Sequence, residues 1–177
     1  MEDATINIKA SVDFSFLHLD FSCKPLIFGG LAMEHYGLRK HGGDVDVLIA
    51  DEDYQWLSDA YPEKKIDVWG NLGVIFEKYS FFRSVGHLDY NFYAVGAVEY
   101  EDFKVVSFER LFFMAAAAMR GEPKVKKRKD DFELVFWSNY DKFKNPAYIQ
   151  YMEQHKGSYE KAPNGTIYGG KYHARVQ

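Results

Sequence analysis

Short apolar runs separated by glycine turns organise the first fifty residues. The run Leu26-Ile27-Phe28 ends at Gly29-Gly30 and is typical of a buried strand closed by a tight turn. A helix is predicted over 31–36, where the apolar residues suit one helical face. After a second glycine pair at 42–43, the run from Asp44 to Ile49 predicts another strand. The pattern therefore predicts a strand, a helix and a second strand.

Acidic residues and a proline mark the element that follows. Three acids at 51–53 suit the first turn of a helix, and Pro62 stops that helix at about Tyr61. Segments 65–69 and 72–79 are rich in strand-forming residues. Residues 87–95 alternate polar and apolar side chains, which predicts a strand with one polar face. A further strand is predicted over 98–106.

Helical patterns fill the C-terminal third of the chain. Ser107 is placed to cap a helix that runs from Phe108 to Arg120. A basic run, 124–129, is predicted as a turn before a helix over 130–140. One more short helix is predicted from Pro146 to about His155, and an irregular tail over 157–177. The first 22 residues fit a strand and a short helix equally well.

This order of elements defines the expected fold class. It predicts an α/β (α+β) domain in which a mixed β-sheet is flanked by helices and followed by a helical C-terminal portion. The domain is expected to cover residues 1–156, with its C-terminal helices beginning at about 107. No internal repeat interrupts this plan.

Composition narrows the class of protein. Hydrophobic residues make up 47% of the 177 residues and charged residues 27%, a globular balance. The formal charge of −4 argues against nonspecific coating of nucleic acid. A single cysteine excludes a disulfide framework and a cysteine-based zinc site within the chain. No apolar run is long enough for a membrane span and the N-terminus lacks a signal-peptide pattern, so a cytoplasmic protein without a membrane partner is expected.

The glycine pair and the acidic strand carry the candidate chemistry. Glycines between a strand and a helix allow close approach of the backbone to a phosphate. Asp44 and Asp46 are two residues apart on a predicted strand, so their carboxylates project from the same face. Two neighbouring carboxylates repel each other unless a cation neutralises them. Oxygen ligands at this spacing suit Mg²⁺ that is shared with substrate phosphates.

Gly29-Gly30, a helix and Asp44-Val45-Asp46 together resemble the signature of the polymerase-β-like nucleotidyltransferases. The most similar members are small single-domain bacterial proteins, the antibiotic nucleotidyltransferases and the toxin-type nucleotidyltransferases. The resemblance covers about 26–134 and implies the nucleotidyltransferase fold. It also implies two Mg²⁺ ions, replaceable by Mn²⁺, with Asp44 and Asp46 as catalytic metal ligands and the glycine pair seating the NTP phosphates. The alternative is a glycine turn followed by a solvated strand edge.

The resemblance also implies a third carboxylate, which holds metal and deprotonates the acceptor hydroxyl. Asp89 is the first candidate because its predicted strand has a polar face, and Asp67 is the second. Lys129 would reach the triphosphate or fix a helix against the sheet. The basic run containing Lys129 is otherwise a solvated turn or a patch facing tRNA.

Two departures from the family pattern concern the nucleotide. Many relatives carry an arginine and a threonine before the paired aspartates, where this chain has Lys40-His41-Gly42-Gly43. Many also carry a lysine in the helix after the sheet, where this chain has 112–115 without one. Lys40 and His41 are therefore the candidate nucleotide-binding residues of this loop, although a loop histidine is often simply exposed.

Two functions remain open from the sequence. The first is an enzyme that transfers a nucleoside monophosphate from an NTP to a hydroxyl of a small molecule, a protein or an RNA. The second is a catalytically weak or inactive module that keeps the nucleotidyltransferase fold and binds nucleotide or a partner protein. The sequence leaves the acceptor, the preferred base and the oligomeric state open.

Overall fold

Nine strands and five α-helices make up the part of the chain that the structure, a computed structural model, describes. The described residues are 8–68, 70–118 and 125–143. The strands are β1 (Leu26–Phe28), β2 (Val45–Leu48), β3 (Lys65–Val68), β4 (Asn71–Phe76), β5 (Tyr79–Phe82), β6 (Ser84–Val85), β7 (Leu88–Asp89), β8 (Val98–Glu99) and β9 (Lys104–Val105). The helices are α1 (Gly29–His35), α2 (Asp51–Ala60), α3 (Tyr90–Tyr93), α4 (Phe108–Ala118) and α5 (Val125–Phe143).

Seven of these strands form one mixed sheet in the order β3-β4-β5-β2-β1-β9-β8. The β1–β9 and β2–β5 pairs are parallel, and the other neighbouring pairs are antiparallel. Strands β6 and β7 form a separate two-stranded ribbon. The prediction of a mixed α/β fold with helices around a mixed sheet is confirmed.

The central strands are buried because their sequences are apolar on both faces. All three residues of β1 are buried, and in β2 only Asp46 is partly exposed. The predicted bounds of β1, β2 and α2 agree with the structure to within a residue or two. Helix α1 begins at Gly29, two residues earlier than predicted, so the glycine pair forms its first turn.

The N-terminal segment is neither a strand nor an α-helix. It forms 3₁₀ turns at Ile8–Ser11 and Ser15–Leu17 and packs aromatic rings against the sheet. Its end is fixed by the buried Asp53, whose carboxylate accepts hydrogen bonds from the Ser22 amide and hydroxyl at 3.0 and 2.9 Å. A buried carboxylate keeps its charge at low cost only when it is hydrogen-bonded in this way.

Three strand predictions are wrong in their extent. The predicted strand 72–79 ends at Phe76, and a two-residue turn at Glu77-Lys78 begins β5, which the sequence did not predict. The predicted strand 87–95 is only β7 followed by the short helix α3, in which Tyr90 and Tyr93 share a buried side. The predicted strand 98–106 consists of the two short antiparallel strands β8 and β9.

The C-terminal residues belong to a second compact unit. The chain divides between Leu111 and Phe112, and in the second unit Phe112 packs against Phe132 and Phe136. Helix α5 already begins at Val125, so the described part of the basic run lies in a helix, not in the predicted turn. The predicted helix at 146–155 and the tail 157–177 lie outside the described residues.

None of the described helices has both the length and the apolar character that a membrane span requires.

Candidate functional site

The candidate site is built where β1 turns into α1 beside β2. Antiparallel pairing places Phe28 directly opposite Asp46. Opposed residues in a ladder project from the same face, so Asp46 lies next to the end of β1 and the turn that follows. The strand pairing, rather than proximity in the sequence, therefore brings the predicted glycine pair to Asp46.

Gly29 is fixed by both its backbone and its surroundings. Its φ is +63°, in the left-handed region that favours glycine. A Cβ at this position would overlap Asp46 Oδ2 and would lie 3.2 Å from Asp46 Cγ. The site thus has a carboxylate packed directly against the backbone of a glycine turn, with no room for a side chain between them.

The loop before β2 folds back over the second glycine. A Cβ on Gly30 would lie 3.5 Å from His41 Cβ and 3.6 Å from Arg39 Nη1. Both Arg39 and His41 are half-buried, and Arg39 Nη1 donates a hydrogen bond to the carbonyl of Lys40 at 2.9 Å. Basic side chains therefore gather over the same glycine turn that contacts Asp46.

A carboxylate on α1 holds this loop in place. Glu34 Oε2 accepts a hydrogen bond from the His41 amide at 2.9 Å and also contacts His41 Nδ1. These hydrogen bonds lower the pKa of Glu34 below its ordinary value of 4.5, with the backbone hydrogen bond as the larger cause. His41 is consequently a partnered residue of the site, not a freely exposed loop histidine.

The Glu34–His41 contact predicts a specific dependence of stability on pH. Because folding lowers the pKa of Glu34, its ionised form stabilises the native state above pH 4.5, and this stabilisation is lost as pH falls through the lowered pKa. The free energy of unfolding of wild type should therefore exceed that of Glu34→Gln near neutral pH, and the difference should shrink in acid. Urea titrations at several pH values measure it. Glu101→Gln, at an exposed loop position, serves as the control, and a pH-independent gap for Glu34→Gln would contradict the assignment.

Asp44 and Asp46 differ in exposure and in their place relative to β2. Asp44 is exposed and lies just before β2, whereas Asp46 is half-buried within it. Alternation along the extended chain directs both carboxylates to the same side. On the parallel neighbour β5, the residue in register with Asp46 is Ser80. The adjoining strand thus presents a hydroxyl rather than a further carboxylate.

The candidates for a third carboxylate lie elsewhere. Asp89 is in the separate β6–β7 ribbon, and its carboxylate caps α3 by accepting a hydrogen bond from the Phe92 amide at 3.1 Å. Asp67 is on the edge strand β3, and its Oδ1 accepts a hydrogen bond from the Gly70 amide at 2.6 Å. Each of these carboxylates supports a local turn.

A metal site of three protein ligands is not assembled within the described residues. No three histidine, cysteine, aspartate or glutamate side chains there lie close enough to hold one ion. The pair Asp44 and Asp46 has the donor chemistry that Mg²⁺ or Mn²⁺ prefers, because both offer hard carboxylate oxygens on one face. The residues present therefore fit a cation held by two carboxylates, and Asp89 does not join them in this arrangement.

Two substitutions at Asp89 distinguish its role as a helix cap from a role as a metal ligand. Asp89→Ala should lower the free energy of unfolding by about 0.5–1 kcal/mol, because the first turn of α3 loses its acceptor. Asp89→Asn keeps an acceptor oxygen and should keep that stability. Urea denaturation measures the cap, and Mn²⁺ titration measures the metal. If Asp89 is a ligand, Asp89→Asn weakens Mn²⁺ binding without loss of stability; if it is only a cap, Mn²⁺ affinity stays unchanged.

The two lysines predicted to bind nucleotide have different surroundings. Lys40 is exposed in the loop over the glycine turn. Lys129 belongs to the second unit, where its Nζ lies 3.7 Å from Glu133 Oε1, one helical turn away on α5. The role of Lys129 toward a triphosphate stays a prediction.

Sequence reasoning missed Arg39 and Glu34. The signal for Arg39 was its place in the same basic stretch as Lys40 and His41, directly before the paired aspartates. Glu34 carried no signal, because an acid in the middle of a short helix is ordinarily solvated. Only the fold of the loop brings Glu34 to His41.

Comparisons with known proteins find a resemblance to a solved structure. No family model matches the chain, and no curated protein matches it. A solved structure of an antigenic nucleotidyltransferase-like protein from Paracoccidioides brasiliensis is similar over 85% of this chain and 87% of that chain. The two share 13% sequence identity and superpose with a TM-score of 0.37. This likeness therefore assigns no function to the chain.

Proposed function

We propose that this protein is a nucleotidyltransferase that moves a nucleoside monophosphate from an NTP to a hydroxyl group. The observation that carries the proposal is the contact between the Asp46 carboxylate and the backbone of Gly29. This contact joins a glycine turn, for which we propose a phosphate-binding role, to an acidic strand. The basic loop over Gly30 supplies the positive charge that a triphosphate requires.

The triphosphate would lie between the glycine turn and the basic loop. Arg39 offers planar guanidinium donors that match phosphate oxygens, and Lys40 adds an exposed ammonium group. Glu34 restrains the loop through His41, so the loop is held in one conformation before nucleotide arrives. Such preorganisation lowers the entropy lost on binding.

Asp44 and Asp46 are the residues that would hold Mg²⁺ at this turn. When bound, the cation neutralises the crowded negative charge of the carboxylates and the phosphates. In the transfer itself, the acceptor oxygen forms a bond to the α-phosphorus. The bond between the α-phosphorus and the oxygen that bridges it to the β-phosphorus breaks, and pyrophosphate leaves. The proton of the acceptor hydroxyl passes to a carboxylate, a role proposed for Asp89 and otherwise for Asp67.

One observation favours a second function, a nucleotide-binding module without turnover. No three possible metal ligands cluster within the described residues, and the Asp89 carboxylate is engaged as a helix cap. A chain with this arrangement would retain nucleotide and cation but would lack the base for the acceptor. The two functions share the same binding site and differ only in product.

Two measurements on the full chain distinguish these outcomes. Thermal shift with each of the four NTPs, with and without Mg²⁺, reports binding because a ligand of the native state raises stability. Release of pyrophosphate in the presence of candidate hydroxyl acceptors reports transfer. Binding with pyrophosphate release supports the enzyme, and Mg²⁺-dependent binding without release across the acceptors supports the module. Absence of any Mg²⁺-dependent NTP binding contradicts both.

A further inference from the structure

Among the described residues, β3 has backbone groups on its outer edge that pair with no other strand. β3 is the last strand of the seven-stranded sheet, and β4 is its one neighbour within the described chain. Lys65, Asp67 and Val68 are exposed, and Ile66 is partly exposed. An uncovered edge strand is a template for pairing with another strand.

The direction of each backbone group along β3 follows from the neighbouring ladder. The Arg83 amide donates to the Leu72 carbonyl at 3.0 Å, in the same register that pairs Gly73 with Phe82. The backbone groups of Leu72 therefore face β5, and those of the next residue, Gly73, face β3, because they alternate along an antiparallel strand. Gly73 is opposite Ile66, so Ile66 directs its backbone groups toward β4.

It follows that Lys65 and Asp67 direct their N–H and C=O groups outward. An antiparallel strand added to this edge must place its own outward-facing residues opposite these two. For a second copy of β3, Lys65 can face Lys65, Asp67 can face Asp67, or Lys65 can face Asp67. The first two registers put like charges directly opposite each other, which is unfavourable, and the third puts opposite charges together.

We propose that β3 is a self-complementary edge through which two copies of this chain associate. The two strands run antiparallel about a two-fold axis at Ile66, and Lys65 of each copy lies opposite Asp67 of the other. This register forms backbone hydrogen bonds in both directions at each Lys65–Asp67 pair. It also sets the two Ile66 side chains beside each other at the axis. A C₂ interface of this kind is the commonest in homo-oligomers.

The same charges explain why the edge does not pair indiscriminately. A charged residue on an edge strand normally opposes pairing with other chains. Here each charge is satisfied only when the incoming strand presents its opposite at the matching position. The edge thus discriminates in favour of its own sequence, which is specificity by disfavouring alternatives.

The interface lies apart from the candidate site. Strands β4 and β5 separate β3 from β2, which carries Asp46. Pairing through β3 therefore does not depend on the proposed function and is tested by association. Lys65, unlike Asp67, has no proposed catalytic role. Because the strand has only four residues, we expect weak association, with a Kd between about 1 μM and 1 mM.

Sedimentation velocity of the full chain over a range of concentrations tests the proposal. Wild type should show a monomer–dimer equilibrium. Lys65→Asp places aspartates opposite Asp67 of the other copy, and Asp67→Lys places lysines opposite Lys65. Each substitution should weaken self-association at least about tenfold, the equivalent of about 1.4 kcal/mol.

A mixture of the two variants gives the decisive measurement. In the mixed dimer, position 65 of each copy faces a residue of opposite charge at position 67 of the other copy. Two variants that are monomeric separately should therefore associate when mixed, with an affinity close to wild type and reduced by salt. Circular dichroism checks that Asp67→Lys folds, since Asp67 accepts the Gly70 amide. If that variant does not fold, Lys65→Asp is compared with Lys9→Asp, the same charge change on an exposed residue of the N-terminal segment.

The possible results distinguish pairing through β3 from a monomer and from association through another surface. Recovery of the dimer on mixing, or loss of the dimer in Lys65→Asp but not in Lys9→Asp, supports pairing through β3. A wild-type chain that is monomeric at all concentrations overturns the proposal. A dimer that is insensitive to substitution at Lys65 overturns it as well, because another surface must then join the two copies.

Discussion

Gly29→Ala should destabilise the protein by about 2–4 kcal/mol. A φ of +63° forces the new residue into the left-handed region, which costs about 1–2 kcal/mol for an L-residue with a Cβ. The added Cβ would also overlap Asp46 Oδ2, so the carboxylate or the turn must move. Urea denaturation of both proteins gives the difference in the free energy of unfolding.

Gly37→Ala separates the backbone effect from the overlap. Gly37 has a similar φ of +69°, but a Cβ there would meet nothing within 4 Å. Its substitution should cost about 1 kcal/mol, the backbone effect alone. Equal losses in the free energy of unfolding for Gly29→Ala and Gly37→Ala would show that the Asp46 carboxylate moves aside without a cost in stability. The close contact at the centre of the candidate site would then not constrain the turn.

The parts of the fold that the sequence predicted are those with strong local signals. Strands β1 and β2 are short apolar runs between glycine turns, and α2 has acids at its start and Pro62 after its end. β5 was missed because the turn at Glu77-Lys78 contains no glycine, proline or asparagine. Glu77 adopts a φ of +48° instead, which sequence preferences do not anticipate.

Competition between two periodicities explains the error at α3. Residues 87–95 alternate polar and apolar side chains, which favours a strand. The same segment places Tyr90 and Tyr93 three residues apart, a helical spacing, and the Asp89 side chain caps the turn. The cap and the burial of both tyrosines outweigh the alternation. A period of two over a few residues cannot decide between these structures.

In the candidate site, too, features that depend on local spacing can be predicted from the sequence, whereas features that depend on long-range packing cannot. The Asp44–Asp46 spacing is a local pattern, so the shared face of the two carboxylates is predicted from it alone and stays a prediction. The contact between Glu34 and His41 and the position of Ser80 beside Asp46 depend on loop closure and on strand order. The role of Asp89 was inferred for an extended strand, and the observed cap follows from the helix that replaces it.

Asp46→Asn should produce the largest loss of activity under the proposed function. Asparagine has nearly the same size as aspartate, so it should fit against Gly29 and leave the fold intact, or slightly more stable as repulsion with Asp44 is relieved. It lacks the negative charge with which a carboxylate holds a divalent cation. We expect pyrophosphate release to fall by at least about 10³-fold and Mn²⁺ affinity to fall with it.

Asp59→Asn is the matched control, since it makes the same chemical change at an exposed position of α2. This variant should retain the pyrophosphate release of wild type. Loss of activity in Asp67→Asn but not in Asp89→Asn would identify Asp67 as the third carboxylate. Undiminished turnover by Asp46→Asn would overturn the catalytic role of the acidic strand. Loss of Mg²⁺-dependent NTP binding in Asp46→Asn, from a wild type that binds but does not release pyrophosphate, would assign the same contact at Gly29 to nucleotide binding alone.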